Sequence, residues 1–373
     1  MRTIVVVGGK LQGVEACYLA KKAGIRTILL DKNPKALASL MADEFYQIDI
    51  LSSDINIKDI MKKGDFILPA LENDEVLNCL ERLGQEEGLN IAFDFDAYRI
   101  SSSKLLSDRL FSSLQIPAPV YYPEAKPPYV IKPNKASGSV GVRLINTEEE
   151  LKNMLNQLDR DYEPVIQEFL EGDSYSIEVI GCTGNYRTYE ITQIHIDSHY
   201  DCCRVTSPCA LTNSIKEEMR KIAVRLAQAV KLNGIMDVEV ILSNGIPKVL
   251  EIDARIPSQT PTVVYQSTGI NFIDELWHLF CVGRLPDQEM IPTRYSVYEH
   301  LWVKDGAIKE VGEHYMSIRK PLSYCIDFMN SDEVITDFSP GDNELTGTFI
   351  NTGKTLTEIN QKRLRLYDIL KKK

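Results

Sequence analysis

The stretch Val249-Leu250-Glu251-Ile252-Asp253-Ala254-Arg255 constrains this chain more than any other. It reads as a strand running into the loop Ile256-Pro257-Ser258-Gln259-Thr260-Pro261. Residues two apart on a strand share a face, so Glu251 and Asp253 project together, with Val249 beside them and Leu250 and Ile252 opposite. The preceding run, Met236 to Ile241, repeats the pattern with Asp237 and Glu239, and Asn244-Gly245 marks a turn between the two strands. A two-residue loop pairs Ser243 with Ile246 and sets Glu239 against Leu250. A three-residue loop, Asn244 to Ile246, sets Glu239 against Glu251 and Asp237 against Asp253. Three-residue loops with a left-handed glycine are common, and the spacing predicts that register. Like charges directly opposite cost up to about 1 kcal/mol, so the face needs protons or cations. Hard oxygen ligands in this number suit Mg²⁺ shared with substrate phosphates. A solvated hairpin carrying ordinary surface acids is the plainer alternative.

The chain has 373 residues, enough for two or three domains, and 44% of them are hydrophobic, as in an ordinary globular core. A net charge of −11 argues against nucleic-acid or anionic-membrane partners. No stretch approaches the roughly 18 apolar residues of a membrane span, and the first residues run directly into a strand, so the expected location is the cytoplasm. Eight cysteines in a reducing compartment are free thiols. His195, His199, Cys202, Cys203 and Cys209 are soft metal ligands by type. They contain no CxxC pair, and adjacent Cys202 and Cys203 suit one tetrahedral site poorly.

From the N-terminus, a strand over Thr3 to Val7, a glycine turn over 8–13, a helix to Ala23 and a strand over Arg26 to Leu30 form a βαβ unit, with Asp31 at its end. The turn reads G-G-x-x-x-G, which departs from the dinucleotide fingerprint, so tight packing explains the glycines as well as a ligand does. Glu72 follows another apolar strand, at the end where α/β sheets bind ligands, and suits a substrate ammonium group or a helix N-terminus. Ser101 to Ser103 offer N-caps for a helix through Ser113. Lys104 sits in its first turn, the wrong end for a cation, which invites a phosphate partner. Lys132 ends a short strand, and the small residues from Ala136 through Ser137, Gly138, Ser139 and Val140 to Gly141 form a loop whose backbone could approach a polyphosphate. The run Val165 to Leu170 is a strand leading into the acidic turn Glu171-Gly172-Asp173, followed by a strand with Ser176 and Glu178 on one face. Ser214 to Glu217 reads as a capping box opening a helix whose Met219, Ile222, Ala223, Leu226 and Val230 are core. Beyond Gly283, Tyr295 to Val303 reads as a strand, 330–353 as turn-rich with short strands, and Gln361 to Lys373 as a basic helix on a solvated edge.

Two lysines, a small-residue loop, an acidic hinge, then paired carboxylates with an arginine: this order resembles the ATP-grasp superfamily. The resemblance implies an α/β, overall α+β, fold: a Rossmann-like N-terminal domain over 1–95, an ATP-grasp core over 96–285 with a lid over about 117–175, and an antiparallel C-terminal part over 286–373. It implies ATP and Mg²⁺ as cofactors. Lys104 and Lys132 would hold the nucleotide phosphates, Ser137 to Val140 cover them, and Gln167, Glu168, Phe169 and Leu170 take the adenine. Lys10 and Leu11 would also touch nucleotide. Glu239, Glu251 and Asp253 resemble the Mg²⁺ ligands, with Asp where many members have Asn. Arg255, with Lys132, would serve catalysis on the transferring phosphoryl and acyl-phosphate. Many members carry a ribose-binding Glu two residues after the hinge glycine. Ser174 stands there in this chain, which leaves Glu171 or Asp173 for the ribose.

Segments outside the general motifs, including Gly8 to Gly13, Ala97 to Ser101, His195 to Asp197, Tyr200 to Cys202 and Glu251 to Val264, are similar to the 3-methylornithine–lysine ligases of pyrrolysine biosynthesis. That family joins the carboxylate of 3-methyl-D-ornithine, or D-ornithine, to the ε-amine of L-lysine through an acyl-phosphate, with no nucleic-acid or membrane partner, and a homodimer is compatible with it. Ser258, Gln259 and Thr260 would then line the acyl substrate beside Ser176 and Arg255. Glu72 and Glu178 would hold ammonium groups, and Asp237 or Glu178 would take the amine proton. Another ATP-grasp dipeptide ligase, or a purine-synthesis-type carboxylase, shares the general motifs. An NAD-dependent oxidoreductase built on the βαβ unit leaves the lysines, loop and carboxylates unexplained.

Overall fold

The computed structural model describes residues 1–52, 56–135, 138, 140–157, 164–288 and 291–372. The β-branched run Thr3–Val7 is fully buried and forms the second-innermost strand of a parallel sheet, between Arg26–Asp31 and Phe66–Pro69, with Glu44–Gln47 at the edge. Strands buried on both faces read as unbroken apolar runs, and this one does. Helix Leu11–Lys22 makes the crossover between the parallel strands Thr3–Val7 and Arg26–Asp31.

The segment expected to be a lid holds a small three-stranded sheet, Arg143–Ile145, Tyr129–Pro133 and Pro164–Glu168 in spatial order, with helix Glu148–Leu155. It has its own core of Ala125, Tyr129, Ile131 and Leu151. The largest sheet has 11 strands among the described residues and carries the acidic hairpin, Gly234–Ser243 and Ile246–Asp253, at one edge. It continues from Cys202–Ser207 into Tyr295–Lys304 by antiparallel pairing. The sheet therefore takes strands from both sides of the loop that holds the boundary expected at 285/286.

Helix Asn213–Ala229 packs the expected stripe of Met219, Ile222, Ala223 and Leu226 against the sheet. Its cap is Thr212, whose hydroxyl accepts from Ile215 N, two residues before the expected Ser214 box. The C-terminal helix Leu356–Leu370 corrects the expectation of a solvated edge. Leu366 and Leu370 are buried, and Arg363 makes a two-pronged contact with the buried carboxylate of Glu299. The segment 330–353 also ends in a ten-residue strand, Glu344–Gly353, rather than short pieces, because its alternate residues fill both faces of the sheet. No helix among the described residues is long and apolar enough to cross a membrane.

Candidate active site

The acidic hairpin reaches its expected register by a different route. Asn244 and Gly245 both have positive φ, 52° and 77°, and form a two-residue turn in which Ser243 pairs with Ile246. Such turns match strand twist and favour Asn-Gly. The three-residue loop is therefore absent. A bulge at Leu250 supplies the extra residue instead, so Val249 faces Val240 while Glu251 faces Glu239 and Asp253 faces Asp237. The bulge also resets the faces. Val249 and Ile252 are both buried in the core, whereas Leu250 turns to the cavity beside Glu251 and Asp253.

That cavity, about 440 Å³, lies between the three-stranded sheet and the hairpin. The chain's own cations pair with several of its acids. Lys104 Nζ lies 2.7 Å from Glu251 Oε1. Arg255 reaches Asp253 through Nη2 at 3.1 Å, Glu72 through Nε at 2.8 Å and Asp237 through Nη1 at 3.9 Å. Lys104 sits in the first turn of helix Lys104–Ser113, capped by Ser103. Burial pushes its ammonium down, but Glu251, then Asp253 and Glu239, raise it overall. Lys132 is almost fully buried, 3.4 Å from Leu250 O, and burial lowers it.

Burial and then the facing Glu251 raise Glu239 to about 7. Burial raises Asp253 to about 8 against the pull of Arg255. Asp237 is raised well above the carboxylate range, by burial first. Among the described residues no three His, Cys, Asp or Glu side chains converge on one metal position. The donor chemistry nevertheless fits a hard divalent cation. Glu239, Glu251 and Asp253 would offer carboxylate oxygens from facing strands, and the raised Glu239 and Asp253 carboxyls would give up their protons to a cation.

The hinge residues separate by face. Gln167, Phe169 and Leu170 line the cavity, and Gln167 Oε1 is buried with no hydrogen-bond partner among the described residues. Glu168 does not line it. Its carboxylate takes Lys248 at 2.6 Å and Val120 N at 2.9 Å, because strand alternation turns it outward. The two ribose candidates separate as well. Glu171, Ser174 and Ser176 line the cavity, while Asp173 begins the strand Asp173–Cys182 on the face that carries Tyr175 and Ile177 into the core. Asp173 is thus corrected as a cavity residue. Gly172 allows this close entry, with φ 153°, since a Cβ there would stand 2.2 Å from Leu242 O. Gly138 and Val140 lie on the rim; Ser137 and Ser139 lie outside the described residues.

Lys10 and Leu11 do not line this cavity. They line a second one, about 570 Å³, at the C-terminal edge of the parallel sheet, with Gln12, Asp31 and Glu72. Asp31 holds the glycine turn, accepting from Gly9 N at 2.6 Å and Asn33 N at 2.7 Å. Glu72 accepts from both Gln12 and Arg255. Arg255 and Ser258 border both cavities.

Ser258, Gln259 and Thr260 form the floor of the first cavity, and Ser258 also borders the second. Gln259 takes a left-handed φ of 73°, and its Oε1 accepts from Cys202 Sγ at 3.0 Å. Glu178 is the exception among the substrate candidates. It is fully buried behind Ser176 and next to Asp237, off the cavity wall, and burial raises it to about 7. Sequence reading also missed Glu313. It opens the short helix Glu313–Ser317, borders both cavities and accepts a hydrogen bond from Ser258. Burial raises its carboxyl. Its only signal was indirect: Asp201, in a family-like segment, accepts from His314 N at 2.7 Å and so anchors that helix.

Residues 101–259 match an ATP-grasp domain, and residues 4–92 match the PylC-like N-terminal domain. The chain is 42% identical over 322 residues to a 3-methyl-D-ornithine–L-lysine ligase of Methanosarcina acetivorans, with 85% of each chain covered. It is 40% identical over 319 residues to that of Methanosarcina barkeri, again with 85% of each covered. An N5-carboxyaminoimidazole ribonucleotide synthetase from Thermus thermophilus superposes with a TM-score of 0.74 at 16% identity, covering 98% of both chains. An L-amino acid ligase from Bacillus licheniformis superposes with a TM-score of 0.71 at 14% identity, covering 99% of this chain and 97% of that one. At those identities the two structures share the fold alone. ATP-grasp ligases use ATP with Mg²⁺ to form C–N bonds. With this coverage and identity, the chain belongs to the 3-methyl-D-ornithine–L-lysine ligase family of ATP-grasp ligases.

Proposed function

We propose that the enzyme phosphorylates the carboxylate of 3-methyl-D-ornithine, or of D-ornithine, and passes the acyl group to the ε-amine of L-lysine, as the family's role in pyrrolysine biosynthesis requires. The observation that carries this reading is the shared wall of the two cavities. Arg255, Ser258 and Glu313 border both, so an acyl-phosphate made in one meets an amine held in the other. Lys104 and Lys132 contact the nucleotide phosphates, and Gln167, Phe169 and Leu170 the base. Mg²⁺ would be held by Glu239, Glu251 and Asp253 and would neutralise phosphate charge.

Arg255 offsets charge on the phosphoryl group as it moves, a role in which a fixed, delocalised cation is effective. The carboxylate oxygen attacks the γ-phosphorus and ADP leaves. The lysine amine then attacks the acyl carbon, phosphate leaves, and an amide results. The amine must be neutral to attack. Glu313, which faces both cavities, accepts its proton, and Glu72 holds the cationic end of the amine substrate. Eight free thiols and a need for ATP suit the cytoplasm.

The test is mass spectrometry of products from ATP, L-lysine and either D-ornithine or its 3-methyl form, with ADP release followed in parallel. An amide of the acid on lysine Nε, one ADP formed per amide, is expected. ADP release no greater than the blank without amine would sink the reading.

A further inference from the structure

Helix Leu11–Lys22 follows the first strand of the parallel sheet, and its Glu15 reaches the helix that follows Ser258 and Gln259. Glu15 is only 1% exposed, and its Oε1 accepts from Thr262 N at 2.5 Å, 247 residues away. The receiving helix, Thr260–Thr268, starts at Gln259, whose own side chain makes no cap hydrogen bond. A helix N-terminus leaves several N–H groups without intrahelical partners. The backbone N–H groups of both Gln259 and Thr262 act on the Glu15 carboxyl. Gln259 is also the residue held at φ 73°, a conformation that a non-glycine side chain adopts only when its surroundings impose it. Leu11, on the second cavity, lies four residues before Glu15, on the same helix face.

We infer that Glu15 is a positioning residue for the acyl substrate: its carboxyl group caps the helix Thr260–Thr268 from the N-terminal part of the chain and holds the left-handed Gln259 that shapes the floor of the first cavity. Glu15 touches no cavity and takes no proton from the reaction. The inference rests on the reading that Ser258 to Thr260 contact the acid.

The test uses the full-length enzyme with Glu15→Gln and Glu15→Ala. Hydrogen exchange of a peptide spanning 258–264 reports the cap directly, with no substrate present. Steady-state kinetics with D-ornithine, L-lysine and MgATP report its consequence. Burial raises the Glu15 carboxyl to about 7, so its hydrogen bonds span the neutral and charged cases, roughly three- to hundred-fold in an equilibrium. Glu15→Ala should therefore speed exchange of the Thr262 amide, and raise KM for the acid, by about that factor, with KM for ATP unchanged. Glu15→Gln keeps one acceptor and the packing, so its effects should run in the same direction and be several-fold smaller. Should the alanine variant not fold, the glutamine variant decides alone. Unchanged exchange over 258–264 in Glu15→Gln overturns the cap. Faster exchange with an unchanged KM for the acid overturns the positioning role. Loss of acid-dependent ADP release in the unmodified enzyme would instead overturn the functional reading, and the exchange result would still stand.

Discussion

Glu251→Gln isolates the centre of the hairpin without changing its volume. Glu251 faces Glu239 on the paired strand and receives Lys104 at 2.7 Å, with side chains 9% and 21% exposed for the lysine and the glutamate. Two effects oppose each other in the free enzyme. Removing one partner of a buried pair costs about 3–5 kcal/mol when the remaining charge is stranded. Lys104 is not stranded, since Asp253 and Glu239 also favour its charge. The substitution also removes a facing like charge, a relief of up to about 1 kcal/mol. The net loss of stability should be at most about 2 kcal/mol. Ligand binding should change far more. A ligand present at a hundred times its Kd stabilises a protein by about 2.7 kcal/mol, and this gain should be largely absent from Glu251→Gln with MgATP. ADP formation should fall by about 100-fold or more, the scale of losing one electrostatic contact to a transition state. Thermal melts with and without MgATP, together with coupled ADP release, measure both. Turnover within a few-fold of the unmodified enzyme, with an undiminished MgATP shift, would refute the placement of Glu251 at the phosphates.

Two further outcomes follow from the geometry. Burial raises Glu178 to about 7, so the folded protein keeps a proton that the unfolded chain, with a glutamate near 4.5, has released. Its contribution to stability is complete below about 4.5 and is lost as pH rises through about 7, so Glu178→Gln should flatten the fall of denaturant midpoints across that window. An unaltered pH profile would count against a buried, protonated Glu178. Gly172→Ala sets a Cβ against Leu242 O and should displace the hinge, raising KM for ATP several-fold with a smaller change for lysine. Equal effects on all three substrates would point to a general loss of folding instead.

Much of the site was legible because it depends on short-range geometry. Alternation placed Glu251 with Asp253, a wrong-end lysine marked Lys104, and Gln167 to Leu170 stood out as a strand meeting an acidic turn. Which way each neighbouring side chain turns was less legible. Glu168 and Asp173 each sit one residue from a cavity position and therefore face away from it. Glu313 and Glu15 were invisible for another reason. Each acts through a contact with a residue far away in sequence, Ser258 for one and Thr262 for the other.

The acidic hairpin shows the division most clearly. Residue types and spacing alone determined that four carboxylates would share its strands, that Asn244-Gly245 would turn the chain, and that cations or protons would be needed. Only the tertiary structure decided how the acids came to face one another. The turn took the two-residue form its chemistry favours, which by itself would have left Glu239 opposite Leu250. Packing of Val249 and Ile252 into one core then required the extra residue at Leu250 to be extruded. A strand's period of two fixes which residues share a face only until a bulge intervenes, and whether one does depends on what both faces of the sheet must bury.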